Sequence, residues 1–485
     1  MENSRRTASI HILDDDSLIH VFRLYRPFLL GEDEDDDARF LGGMEGWVHA
    51  RWWYGLAHVC QRWRNVVLGS ASYLGVSLVC TFGTPVADML AHSPPLPLVI
   101  DYFDGYREIT AEDEEGAILA LEQRDRLRRV RLDMPVTSLQ RLIGTMDEEY
   151  PILEYLIVMP PFDDRRSILI LPERLQAPNL RLLSLAGFTL PMGSRLLTAA
   201  IGLVTFCLVM NDPSTYFHPN TLLRWLSFMP QLETLAVFFF TAVSKREIER
   251  QLTLTNTPII TPVTLPNLHH LWFGGVSTYL EALVRRTTTP RLEKLQIDFF
   301  DQITFSLPRL QQLLNTAENL RVDRAKFWFY EERVHVRVYS RDHGEEAISI
   351  DVICQHLDWQ VFSVAQISNS LIQKFSAVEH LTLEHEEHTR SSEEHNEVDR
   401  TEWRRLLRPF GKVQTLQIDS IGSGFVEQLS RCLELEDGEP PTELLPELQE
   451  LKYSGSVNTG DVFASFVNAR QTAGRPVTLD RKSVV

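Results

Sequence analysis

The sequence predicts an α/β chain in which a short N-terminal unit of three helices is followed by an irregular repeat array with a concave parallel sheet. Three observations carry this expectation. Apolar stripes at helical spacing, with acidic start signals, fill residues 1–75. A phrase (Pro)-x-Leu-x-x-Leu-x-Leu then returns through residues 76–480. Between the phrases lie stretches with helix-start signals, which suit a chain that comes back as a helix before the next strand. The last residues, 481–485, read as a tail.

The first helix is expected in "ILDDDSLIHVFRLYRPFLL" (12–30), where Leu18, Val21, Phe22 and Tyr25 form a stripe. Asp14, Asp15 and Asp16 stand at the N-cap and first turn, where carboxylates accept from unsatisfied N–H groups. An acidic, glycine-bearing run without periodicity follows, within about 27–48, and reads as a disordered loop. Residues 47–78 read as two further short helices. In "AHVCQRWRNVV" (57–67) Val59, Trp63, Val66 and Val67 would share one helical face. Helices this short bury little by themselves, so an apolar face carrying Leu18, Phe22, Cys60 and Trp63 wants a partner.

The order Leu-x-x-x-x-Leu-x-x-Val-Phe, then Val-Cys-x-x-Trp, then a Leu after a small-residue turn, resembles the F-box. The matching positions are Leu13, Leu18, Val21, Phe22, Val59, Cys60, Trp63 and Leu74. Asp14 stands where that family usually has Pro, and the acidic loop replaces a short link. The resemblance implies that these eight residues dock on a Skp-type adaptor and, through it, a cullin. The chain would then be a non-catalytic subunit of an SCF-type cullin–RING ubiquitin ligase. The alternative is that the helices only cap the domain that follows, in a repeat scaffold without a ligase.

The repeat phrase appears in "YPILEYLIV" (150–158), "APNLRLLSL" (177–185), "MPQLETLAV" (229–237), "LPNLHHLWF" (265–273), "TPRLEKLQI" (289–297), "FSAVEHLTL" (375–383), "FGKVQTLQI" (410–418) and "LPELQELKY" (445–453). Weaker copies are "RDRLRRVRL" (124–132) and "AIGLVTFCL" (200–208). The leading leucines Leu153, Leu180, Leu203, Leu232, Leu268 and Leu292 are 27, 23, 29, 36 and 24 residues apart. A leucine-rich repeat has a period of about 20–29 residues. One repeat cannot bury its own face, so neighbours must stack. The array resembles the degenerate leucine-rich repeats of many F-box proteins, particularly fungal ones. A helix is expected at "TPVADMLAHS" (84–93), with Thr84 as N-cap and Pro85 in first position.

One region reads differently. In residues 325–354 apolar residues alternate on both sides of "RDHGEE", which predicts a β-hairpin setting Val334, Val336 and Val338 against Ile348, Ile350 and Val352. It is expected as an insertion in the array. In the ordinary phrases the leucines point inward, so the residues between them point out. That places Thr234, Ala236 and Phe238, then His270, Trp272 and Gly274, then Lys294, Gln296 and Asp298 on the outer face. Phe238, His270, Trp272, Gln296 and Asp298 are the candidate substrate contacts, since aromatic anchors amid polar groups mark interface centres. A neighbouring loop or a shift of register would cover them.

Composition narrows the alternatives. The chain has 485 residues, 44% hydrophobic and 24% charged, as in folded domains. A net charge of −18 disfavours nucleic acid as the main partner. The five cysteines, 60, 80, 207, 354 and 432, are widely spaced and suit free thiols in a reducing compartment. No signal-peptide pattern or membrane-length apolar run is present, so a cytoplasmic or nuclear protein is expected, with no membrane partner. "LLTAAIGLVTFCLVM" (196–210) reads as a helix end and a strand. Only seven lysines occur, none before Lys245, which would suit a chain that sits beside its own ligase.

No P-loop, nucleophile elbow or zinc-protease signature is found, so no enzyme, cofactor or metal is expected. The nearest candidate is residues 379–399, with His380, His385, His388 and His395 among glutamates. His385 and His388 would be metal ligands only if they lay one helical turn apart, and the tract reads as a solvated loop. The acidic run 32–37 lacks EF-hand spacing.

Overall fold

Each leucine phrase becomes a strand, and its leucines go inward. The structure, a computed structural model, describes residues 13–25, 51–103, 107, 109–161, 168–191, 193–210, 212, 215–239, 262–300, 302–317, 319–342, 344–386, 397–420, 423–434, 439–440, 442–455 and 462–483. The acidic loop at about 27–48, His388 and His395 lie outside the described residues. The protein is mixed α/β with a large, mostly parallel sheet and no closed barrel. No described helix is long and apolar enough to cross a membrane. Two compact units divide the chain at Thr215 and Tyr216, whereas the sequence pattern changes at about 75.

In the first unit the strands are β1 (Leu78–Cys80), β2 (Leu98–Phe103), β3 (Leu127–Asp133), β4 (Tyr155–Met159), β5 (Leu169–Ile170), β6 (Leu182–Ala186), β7 (Phe188–Thr189) and β8 (Thr205–Met210). The order β1-β2-β3-β4-β6-β8 is parallel throughout, and β5 pairs separately with β7. Parallel neighbours need a crossover, and helices such as Ala111–Leu121 and Val136–Gly144 supply it. The second begins at Pro135 and buries Leu139, Leu142 and Ile143, the i, i+3, i+4 stripe. Residues 196–210 are a helix end, Arg195–Ala199, and β8, as expected.

The second unit holds β9 (Thr234–Phe239), β10 (Val263–Thr264), β11 (His270–Gly275), β12 (Thr287–Thr288), β13 (Lys294–Phe299), β14 (Val322–Phe329), β15 (Arg333–Ser340), β16 (Glu346–Ile353), β17 (His380–His385), β18 (Thr415–Ser420), β19 (Glu450–Gly455) and β20 (Thr478–Ser483). The sheet order is β9-β11-β13-β16-β15-β14-β17-β18-β19-β20. The leucine side packs on helices: Phe273 stacks on Tyr279 at 5.8 Å, and Phe329 meets Trp403 at 5.7 Å and Phe425 at 5.8 Å. Leu232, Leu268 and Leu292, the leading leucines, are fully buried, as are Leu153, Leu180 and Leu203 in the first unit.

The hairpin has the expected register: Val334 faces Val352, Val336 faces Ile350 and Val338 faces Ile348. It does not project as an insertion. β15 runs antiparallel to both β14 and β16, while β16 joins β13 and β14 joins β17 in parallel. The segment therefore continues the sheet with one reversed strand.

Three local expectations are corrected. "AHVCQRWRNVV" is not one helix. The chain breaks after Trp52–Ala57, and Cys60 is the extended N-cap of helix Gln61–Gly69, its sulfur accepting from the Trp63 N–H at 3.5 Å. Val59 thus leaves the stripe and is exposed. Thr84 is not a helix cap: its hydroxyl accepts from the Thr81 N–H at 3.1 Å, and the helix starts later, at Val86. Residues 481–483 are not tail, because Arg481 to Ser483 pair with Tyr453 to Gly455 at the sheet edge.

Candidate functional site

Two surfaces carry candidate residues, one in each unit. The N-terminal surface starts from helix Asp15–Tyr25, which Asp14 caps as expected by accepting from the Ser17 N–H at 2.7 Å. The bonds from Ser17 hold the Asp14 carboxyl below its ordinary pKa. Arg62 ties this helix to Gln61–Gly69, donating to Asp15 at 2.8 Å and to the Leu13 carbonyl at 2.6 Å. A groove of about 570 Å³ between them is lined by Ile19, Gln61, Arg62, Asn65 and Val66, among others.

Three expected adaptor contacts are corrected here. Leu18, Phe22 and Leu74 are fully buried, and the Phe22 ring lies 4.8 Å from Trp63. They form the small core of these short helices, which have few other side chains to bury there. Cys60 and Trp63 are half-buried at its margin. What remains outside is a different set: Leu13, Val21 (41% exposed) and Val59 from the expected residues, with Leu24 (74%), Tyr25 (64%) and Tyr73 besides. Leu24 and Tyr73 were missed because neither fits the stripe or the motif. Arg23 donates to the Tyr73 hydroxyl at 3.0 Å, joining the first helix to the short helix Ala71–Leu74.

The second surface is the outward face of the second unit's sheet. It is built by alternation: apolar side chains of β11 to β18 enter the core, and the residues between them stand outward in rows across the strands. One row runs Asp298, Asp351, His335, Trp328, Glu384 and Asp419. Beside it runs Trp272, Gln296, Ser349, Arg337, Lys326, Thr382 and Gln417.

These rows are tied by hydrogen bonds. Trp272 donates its indole N–H to Asp298 at 3.0 Å, and His270 meets Gln296 at 3.2 Å. Arg337 bonds to Ser349, to Asp351 at 2.5 Å and to Glu346 at 3.2 Å, while His335 meets Asp351 at 2.6 Å. Lys326 pairs with Glu384 at 2.6 Å, its ammonium 4.6 Å over the Trp328 ring. Trp328, Tyr330 and His335 form an aromatic nest, with centroids 4.2 Å and 4.9 Å apart in sequence.

Of the expected substrate contacts, the structure brings His270, Trp272, Gln296 and Asp298 together on this face. Trp272, His270 and Asp298 are half-exposed, but Gln296 is nearly covered. Phe238 is a correction. Only 5% of it is exposed, because its ring lies across Gly274 and edge-on to Trp272 at 4.6 Å. Same-face neighbours cover it, with no shift of register needed. A Cβ on Gly274 would stand 2.4 Å from the Phe238 ring and 3.2 Å from Phe300. Gly274→Ala should therefore cost about 1–3 kcal/mol of stability by overpacking. In the Phe238→Ala background the same glycine substitution should cost little further stability, because the ring it strikes is gone; a Gly274→Ala with no effect on the urea midpoint in the wild-type background would refute the close contact.

The residues that the sequence did not single out are Lys326, Trp328, Tyr330, His335, Arg337, Asp351 and Glu384. The signal was present in the hairpin, where a polar or aromatic residue separates each buried valine. Burial raises the Asp351 pKa, but His335 and Arg337 outweigh it and hold the carboxyl below its ordinary value. A depressed folded-state pKa stabilises above the unfolded value, near 3.9, and that stability is lost as pH falls through the folded value. Asp351→Asn should thus cost about 3 kcal/mol at pH 7, the low end for breaking a buried pair, because Arg337 is partly exposed. The gap to wild type should close in urea titrations below about pH 4. A gap that persists unchanged at pH 3 would contradict the charge-pair account.

Of the histidine tract, His385 ends β17 and its ring stacks on Phe425 at 4.9 Å, while His388 lies outside the described residues. Cys80, Cys207, Cys354 and Cys432 are buried free thiols pushed up to about 12 by burial, which keeps them unreactive. No protein-family model matches the chain, and no curated protein matches it.

Proposed function

We propose that this chain is the non-catalytic substrate-recognition subunit of an SCF-type cullin–RING ubiquitin ligase. Its N-terminal helices are an F-box-like unit that binds a Skp-type adaptor, and its parallel strands with their return helices are turns of a leucine-rich-repeat-like solenoid. The outward face of the second unit's sheet receives the protein to be modified. Catalysis then lies in partner subunits and works by holding reactants together.

The observation that supports this reading most is the exposed apolar rim of Val21, Leu24, Tyr25 and Val59 on helices whose own core is already filled. Val21, Leu24 and Tyr25 share one face of the first helix at i, i+3 and i+4, and exposed apolar side chains so grouped mark a protein contact. The acidic balance of the chain and the free thiols agree with a reading that needs no nucleic acid or disulfide.

The test is co-purification of the full chain with a Skp-type adaptor, wild type against Val21→Glu with Leu24→Glu. Capture by wild type and its loss in the variant uphold the reading. If wild type captures no adaptor, the helices cap the first unit, and the chain becomes a repeat scaffold.

A further inference from the structure

We propose that the outward face of the second unit's sheet binds an extended segment of a protein partner bearing arginine or lysine. One cationic side chain sits against Trp328 and Tyr330, and a second sits against Trp272, each beside carboxylates of the row from Asp298 to Asp419. This deepens the reading of that face as the substrate-receiving surface and rests on it.

Charge complementarity selects this partner. From β13 to β18 the row Asp298, Asp351, His335, Trp328, Glu384, Asp419 contains four carboxylates and no lysine or arginine. Arg337 and Lys326 stand in the row behind it and offset part of that charge. Glu386 adds a further carboxylate beyond the end of β17. The negative potential is felt by Tyr330: after burial itself, Glu386 and Glu384 push its hydroxyl up to about 12.

The aromatic groups add a second, independent preference. A cation over an indole or phenol face is attracted by the ring quadrupole. Lys326 already does this within the chain, lying over Trp328 and bonded to Glu384, so the environment holds an ammonium as built. A carboxylate offers about four lone-pair positions, so the Glu384 carboxylate that receives Lys326 can accept further donors. Acid and aromatic together favour guanidinium or ammonium over a neutral or anionic group.

Spacing narrows the ligand further. Trp272 on β11 and Trp328 on β14 are four strand steps apart in the order β11-β13-β16-β15-β14. At about 4.8 Å per step this is roughly 19 Å. An extended chain rises about 3.3 Å per residue, so cations six residues apart match that span and share one side of the peptide.

The probe is a fluorescein-labelled Gly/Ser peptide with two arginines six residues apart, titrated with the full-length chain and read by fluorescence anisotropy. Saturable binding is expected, weakened about tenfold by Glu384→Gln and by Trp328→Ala. Placing the arginines two residues apart should weaken it, and glutamates in their place should abolish it. Glu384→Gln keeps side-chain shape, so its result stands even where Trp328→Ala fails to fold. No saturable binding overturns the proposal, as does binding that both variants retain, which belongs to another acidic surface. Adaptor capture is scored separately on the wild-type chain. Peptide binding without adaptor capture sinks the ligase reading alone, and capture without peptide binding sinks this inference alone.

Discussion

Val21→Glu with Leu24→Glu should lower adaptor capture at least a hundredfold and leave the chain's thermal unfolding where it was. Leu24 lies largely in solvent and Val21 is partly exposed, so the folded state loses little when they become charged. An adaptor that covers them would have to bury two carboxylates against apolar surface. Burying an unpaired carboxylate costs more than the roughly 2–7 kcal/mol of a neutral polar group left without a hydrogen bond, so the pair suffices for a hundredfold loss. The measurement is a pull-down titrated with adaptor, beside a thermal melt of the same preparation. Capture that persists at full strength would move the adaptor contact elsewhere.

Phe22→Ala should cost about 3–5 kcal/mol within the helical unit, since the ring is fully buried and packs 4.8 Å from Trp63. The unit has a handful of core residues, including Leu18, Phe22, Val67 and Leu74, so this loss exceeds what it can spare. Amide exchange in helix Gln61–Gly69 should then accelerate toward the unfolded rate, while β14 to β16 stay protected. Unaltered protection in that helix would show that Phe22 is not part of a shared core. Phe22 substitutions are consequently poor probes of docking, because they remove the helices along with the surface. Pairing the two experiments separates loss of contact from loss of fold.

Hydrophobic pattern made much of the architecture legible. A leucine phrase whose last residues alternate can bury them only as a strand, so β4, β6, β8, β9, β11, β13, β17, β18 and β19 were readable one by one. The hairpin register followed from period two, which sets the faces, together with the short loop at "RDHGEE", which sets the pairing. Asp14 as a helix cap was equally local, needing only its own backbone neighbours.

The sites were less legible, and the reason is physical. Periodicity says which way a side chain leaves the backbone, while exposure depends on what the adjoining strands and helices place there. Phe238 points outward as alternation demands, yet it is covered because Gly274 on the next strand has no side chain to keep the ring upright. Leu18 and Phe22 fit a docking motif, yet the third helix takes them as core and leaves Leu24 outside. The row from Asp298 to Asp419 joins residues up to 121 positions apart (419 − 298) that become neighbours only through sheet order. By itself the sequence determined the strands of the leucine phrases, the facing of their residues and the first helix with its Asp14 cap. Which outward residues meet, pair and remain open to a partner was decided by tertiary packing, because burial is a property of neighbours that one-dimensional period does not name.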